Sequence, residues 1–67
     1  MENNEMNFVR TFNRNGKMLY ESEHSNADSA HAEYKDIIRL LKKRNDRTDR
    51  ITVTRWRYGH IMVIETV

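Results

Sequence analysis

The spacing of apolar residues along this chain switches between the period of a strand and the period of a helix, and the switches mark five elements. Met6-Asn7-Phe8-Val9-Arg10-Thr11-Phe12 is rich in aromatic and β-branched residues and reads as a strand. Asn13-Arg14-Asn15-Gly16 follows, and Asn-Gly between two such runs is a strong hairpin signal. Lys17-Met18-Leu19-Tyr20-Glu21-Ser22-Glu23 is the returning strand.

Two registers compete in this hairpin. A two-residue turn at Asn15-Gly16 mixes Phe12 with Leu19 and sets Arg10 opposite Glu21. A type I turn with Gly16 left-handed makes a three-residue loop. That register puts Phe8, Phe12, Met18 and Tyr20 on one face, with Val9, Leu19 and Glu21 on the other. The second is preferred, because it gathers the large apolar side chains together.

Ser25 is expected to cap the next element, a helix, with Asp28 favouring the positive end of its dipole. At 100° per residue, Ala27, Ala30, Tyr34, Ile37, Ile38 and Leu41 fall in one stripe, and Asp28, Lys35, Asp36, Arg39, Lys42 and Lys43 lie opposite. Lys42-Lys43-Arg44 suits the negative end of the dipole, and Asn45 is the expected stop. After a polar connection over residues 45–50, Ile51 to Tyr58, a turn around Gly59 and His60 to Val67 form a second hairpin. The order ββαββ predicts an α+β fold, one helix packed on a four-stranded, mainly antiparallel sheet. Residues 1–67 make a single domain, with residues 1–5 expected as a flexible tail.

Composition narrows the function classes. With 67 residues there is little room for the concave pocket of about 300 Å³ or more that an enzyme normally needs. Cysteine is absent, which removes disulfides and thiolate metal sites. Met1-Glu2-Asn3-Asn4-Glu5 has neither the basic nor the apolar region of a secretory leader. The longest apolar run is Ile61-Met62-Val63-Ile64, far from the roughly 20 residues that span a bilayer. A soluble cytoplasmic protein is expected, without membrane partners.

Charge is unevenly distributed. Residues 1–34 carry three basic and six acidic side chains; residues 35–57 carry nine basic and three acidic. Lys35, Arg39, Lys42, Lys43 and Arg47 form a basic helical ridge, to which Arg55 and Arg57 add from the second hairpin. The ridge offers phosphate contacts or is simply a solvated helix exterior, with Asp36 and Arg39 as a weak surface pair. The acidic first half works against a polyanionic partner.

One helix covers one sheet face, and the other should alternate to polar. It does not do so cleanly. Ile51 and Val53 share a face with Arg55 and Arg57, while Thr52, Thr54, Trp56 and Tyr58 take the other. In the last strand Ile61 and Val63 point one way and Met62 and Ile64 the other, so apolar groups remain on the uncovered face whichever it is. Trp56 and Tyr58 offer a stacking platform for unpaired bases, or Trp56 is core beneath the helix. The core reading is preferred; it would leave Arg55 and Arg57 on the open face.

No catalytic constellation stands out. Ser22, Ser25 and Ser29 lack the glycines of a nucleophile elbow, Glu21 and Glu23 are solvated charges, and Gly16 and Gly59 are isolated turn residues. His24, His31 and His60 lack metal-ligand spacing. Neither metal, cofactor nor small-molecule substrate is expected. The pattern favours a non-catalytic protein-binding module using Trp56, Tyr58, Met62 and Ile64. It would be a homodimer, or an inhibitor docking on a host or defence protein in the manner of compact phage proteins. The alternative is nucleic-acid binding through the basic residues between 35 and 57.

Overall fold

The computed structural model describes residues 5–44 and 49–67. Its elements are β1 (Asn7–Phe12), β2 (Met18–His24), α1 (Ala27–Lys42), β3 (Thr52–Arg57) and β4 (His60–Thr66). The expected α+β fold is present: the strands form one antiparallel sheet in the order β2-β1-β3-β4, with α1 on one face. β2 and β3 both run antiparallel to β1, so they are parallel to each other. Their connection must cross the sheet over β1, and α1 makes that crossing. This puts the helix against the two central strands.

The core between the layers is small. Val9 and Val53, both 0% exposed, form its floor; Ala30, Tyr34, Ile38 and Ile51 close it from the helix and the start of the second hairpin. Ile37, Leu41, Val63 and Val67 pack around it. The helical stripe is therefore the one the 3.6-residue spacing predicts. Ala30 lets the backbone of α1 approach the sheet closely.

The first hairpin contains both registers. The Asn13 N–H donates to the Lys17 carbonyl, the Gly16 N–H donates to the Asn13 carbonyl, and Gly16 has φ +86°, giving the three-residue loop. Phe12 accordingly opposes Met18. A bulge then shifts the pairing, so that Thr11 opposes Tyr20 and Arg10 opposes Glu21, as a two-residue turn would have set them. Leu19 is the extra residue. Phe8, Phe12 and Met18 share the face that α1 leaves open, but Tyr20 does not join them: the bulge sends it to the helix side and Glu21 to the open side.

The second hairpin repeats the device. Tyr58 (φ +51°) and Gly59 (φ +79°) form a two-residue turn with both residues left-handed, the I′ geometry that suits the twist of the strands. Tyr58 therefore lies beyond β3, and does not share a strand face with Trp56 as the sequence suggests. A second bulge pairs Ile61 with Trp56 and Val63 with Arg55, and makes Met62 the extra residue. Ile61 thereby parts from Val63 and joins Ile64 on the open face.

Asn26, rather than Ser25, caps α1. Its extended backbone (φ −143°, ψ 160°) lets its side-chain oxygen accept from the Ser29 N–H at 2.8 Å. At the other end the Lys43 N–H donates to the Arg39 carbonyl at 3.2 Å; the expected stop at Asn45 lies outside the described residues.

A polar cluster ties β2 to the helix. Glu33 accepts from the Tyr20 hydroxyl at 2.5 Å, from the Ser22 hydroxyl, and from His24 Nε2 at 2.6 Å. Partial burial alone would raise the carboxyl pKa, but these donors outweigh it and hold Glu33 below the ordinary range. Glu33 in turn raises the Tyr20 hydroxyl. Glu5, grouped by sequence with a tail, is engaged just before β1, at the end of the strands where Asn7 pairs with His24 and Arg57: it accepts from Arg57 at 2.7 Å and from Asn7 at 3.3 Å. Those contacts, the Asn7 amide first, lower its pKa.

Candidate functional site

α1 covers the face bearing Asn7, Val9, Thr11, Val53 and Arg55, and no described element covers the other. On that open face Phe8 opposes Trp56 directly across the two central strands. Arg10, two residues along from Phe8, lays its guanidinium carbon 4.4 Å from the Phe8 ring centre and 4.9 Å from that of Trp56. Glu21, across the β1–β2 pair, accepts from Arg10 Nε at 2.7 Å and fixes it there. The indole N–H donates to Thr54 Oγ1 at 2.7 Å, and that hydroxyl donates to the Arg10 carbonyl at 3.0 Å. The indole is thus locked flat along the sheet, which explains why Thr54 is buried on a face without a second layer.

Beside this rigid centre lies an aliphatic half. Ile61, Ile64 and Phe12 border a groove of about 470 Å³ floored by Thr52 and Thr54, with Arg14 and Arg50 at its end. Ile64 is 59% exposed and Met62 48%. The three largest apolar rings of the open side, Phe8, Phe12 and Trp56, are all missing from the core. Trp56 is the core residue the sequence reading preferred, and the structure reverses that placement together with its corollary. Arg55 and Arg57 lie on the helix side, where their stems flank the core while Arg57 reaches Glu5. Arg55 Nε and Arg57 Nε are buried without an acceptor among the described residues.

The basic ridge is dispersed. Lys35, Arg39, Lys42 and Lys43 are exposed on the helix, away from the open sheet face. Arg39 pairs with Asp36 at 3.0 Å, as expected for a solvated surface, and Lys42 with Glu65 at 3.2 Å. Arg47 lies outside the described residues. Of the expected apolar site, Met62 and Ile64 remain exposed on or beside the open face, and Trp56 lies half-buried on it. Tyr58 stands at the turn, with Arg57 5.6 Å from its ring centre. Sequence reasoning missed Arg10, Phe8 and Phe12 as site residues. Their signal was the Phe-Val-Arg-Thr-Phe alternation, which places all three on one face.

The cluster on β2 merits a chemical test, because His24 contacts Glu33 through Nε2 and Ser29 Oγ through Nδ1 at 3.2 Å. This has the connectivity of a serine–histidine–acid relay. Ser29, however, is exposed on the first turn of α1, and its N–H is taken by Asn26. The Glu33 carboxylate is already shared with Tyr20 and Ser22. The arrangement suits a strap between edge strand and helix better than a nucleophile. Among the described residues no group of three His, Asp or Glu side chains is placed to hold a metal ion. None of their helices is long and apolar enough to cross a membrane.

The fold and this face define the class: a two-layer α+β domain with one aromatic and aliphatic sheet face uncovered. No family model, curated protein or solved structure matches the chain.

Proposed function

We propose that the chain is a non-catalytic binding module that docks on protein through its open sheet face. One observation carries this reading: Phe8, Phe12 and Trp56 stand outside the helix–sheet core, on the face without a second layer. A lone exposed apolar residue needs no explanation, but a contiguous patch with a locked aromatic centre is the usual anatomy of an interface. Trp and Arg, types enriched among residues that dominate binding energy, sit on its two central strands as Trp56 and Arg10.

Nucleic acid fits the same face less well. Base stacking on Trp56 would need phosphate-binding groups beside it, yet most of the basic ridge projects from the helix. The nearest cation, Arg10, is already engaged by Glu21, and Glu23 borders the same face opposite Phe8.

Ile64→Lys tests the reading, with the thermal melt as readout. A docking face predicts a cooperative melt close to wild type; an unfolded variant would make Ile64 core and remove the proposal.

A further inference from the structure

The open face carries charge as well as apolar area, and the charge is sorted along the strands. Arg14 and Arg50 stand at the end where β1 turns into β2 and where β3 begins. Glu23 stands at the other end, opposite Phe8. Among the described residues none of the three has an ion pair or side-chain hydrogen bond. The apolar groups are sorted too: the Phe8–Trp56 pair lies toward the Glu23 end, and the groove bordered by Phe12 and Ile64 opens toward the arginine end.

A surface whose two ends are complementary to each other is complementary to its own copy. A two-fold axis lying in the interface and across the strands keeps each strand over its equivalent and exchanges the ends. Arg14 of one copy then meets Glu23 of the other, and the indole of Trp56 lies over the mouth of its partner's groove. Every such contact occurs twice, as in any isologous interface. An axis along the strands would instead set arginine against arginine.

We infer that the partner of the open face is a second copy of this chain, packed sheet to sheet about an axis across the strands. The inference rests on the docking role proposed above and adds the occupant and its orientation. Four strands about 4.8 Å apart and six residues of about 3.3 Å span roughly 20 by 20 Å. Two such faces make a footprint of roughly 800 Å², below the about 1,200 Å² of stable interfaces and in the range of weak, transient ones, so the association is concentration-dependent rather than permanent.

The experiment is the molar mass of the full chain by light scattering over a dilution series, for wild type, Arg14→Glu, Glu23→Arg and the double variant. All the substituted side chains are exposed. The wild type is expected to pass from monomer to dimer with concentration. Each single reversal should weaken the dimer about tenfold, because two attractions become two repulsions, and the double variant should recover it. A dimer that ignores both single reversals overturns the orientation. A wild type that stays monomeric throughout, or changes mass only with a mixed-sequence oligonucleotide, overturns the second copy as partner. If Ile64→Lys still folds in that case, docking on another macromolecule survives; if it does not, the docking reading falls as well.

Discussion

The two faces of this sheet differ in what covers them and in the residues they carry. The covered face meets α1 through Val9, Val53 and Ile51, modest β-branched side chains beneath Ala30, Tyr34 and Ile38. The open face carries the larger groups, Phe8, Phe12 and Trp56, with Ile61 and Ile64 beside them. If burial followed size alone, the arrangement would be reversed. What decides it is fit. A helix that starts Ala27-Asp28-Ser29-Ala30 sits too close to the sheet for an indole beneath it, and close packing leaves no slack for one. The aromatic face is held by its own hydrogen bonds and cation–π contacts instead.

The sharpest way to break this contrast is to make the same truncation on both faces. Ile38→Ala should cost about 2–4 kcal/mol. For a domain of this size that lowers the melting temperature by roughly 10–25 °C. Ile64→Ala, 59% exposed in the wild type, should cost under about 1 kcal/mol. Equal losses in urea unfolding of dilute samples would mean that both faces are core.

Smaller effects sharpen the account of how each layer is tied down. Replacing the cap by Asn26→Ala should destabilise by about 1 kcal/mol, and Ser25→Ala by much less. Tyr58→Asn should stabilise by roughly 1 kcal/mol, because a bulky residue with φ +51° is strained where asparagine is at ease. Thermal melts read both; a lower melting temperature for Tyr58→Asn would show that the Arg57 contact with the ring outweighs the strain.

The β2 strap makes a prediction in pH. Glu33 has its carboxyl pKa lowered in the fold, so its contribution is fully present above the unfolded value. It is lost as the pH falls through the lower folded one. Stability measured down the acid limb should fall less steeply in Glu33→Gln than in wild type. Parallel limbs would show that other carboxylates carry the dependence.

Much of the fold was legible because local signals agreed. The helical stripe, the left-handed Gly16 and the ββαββ order all follow from spacing and turn chemistry. The open face was only half legible, for two physical reasons. A bulge inverts the alternation beyond it, so Tyr20 and Ile61 moved to faces that strict period-2 counting denies them. Strand order is not encoded locally either, and only the pairing of β1 with β3 brings Phe8 and Arg10 against Trp56. Arg55 and Arg57 misled for a related reason: arginine stems lie comfortably along a core edge, and the Arg57 head reaches Glu5.

The central claim is that Trp56 belongs to a docking face and not to the core. It is the chain's single tryptophan, so its fluorescence reports this face alone. The most direct measurement is acrylamide quenching of Trp56 in the folded protein across a dilution series. The account predicts an indole that the quencher reaches in dilute solution and loses as the protein concentration rises. An indole shielded equally at every dilution would place Trp56 in the core and contradict it.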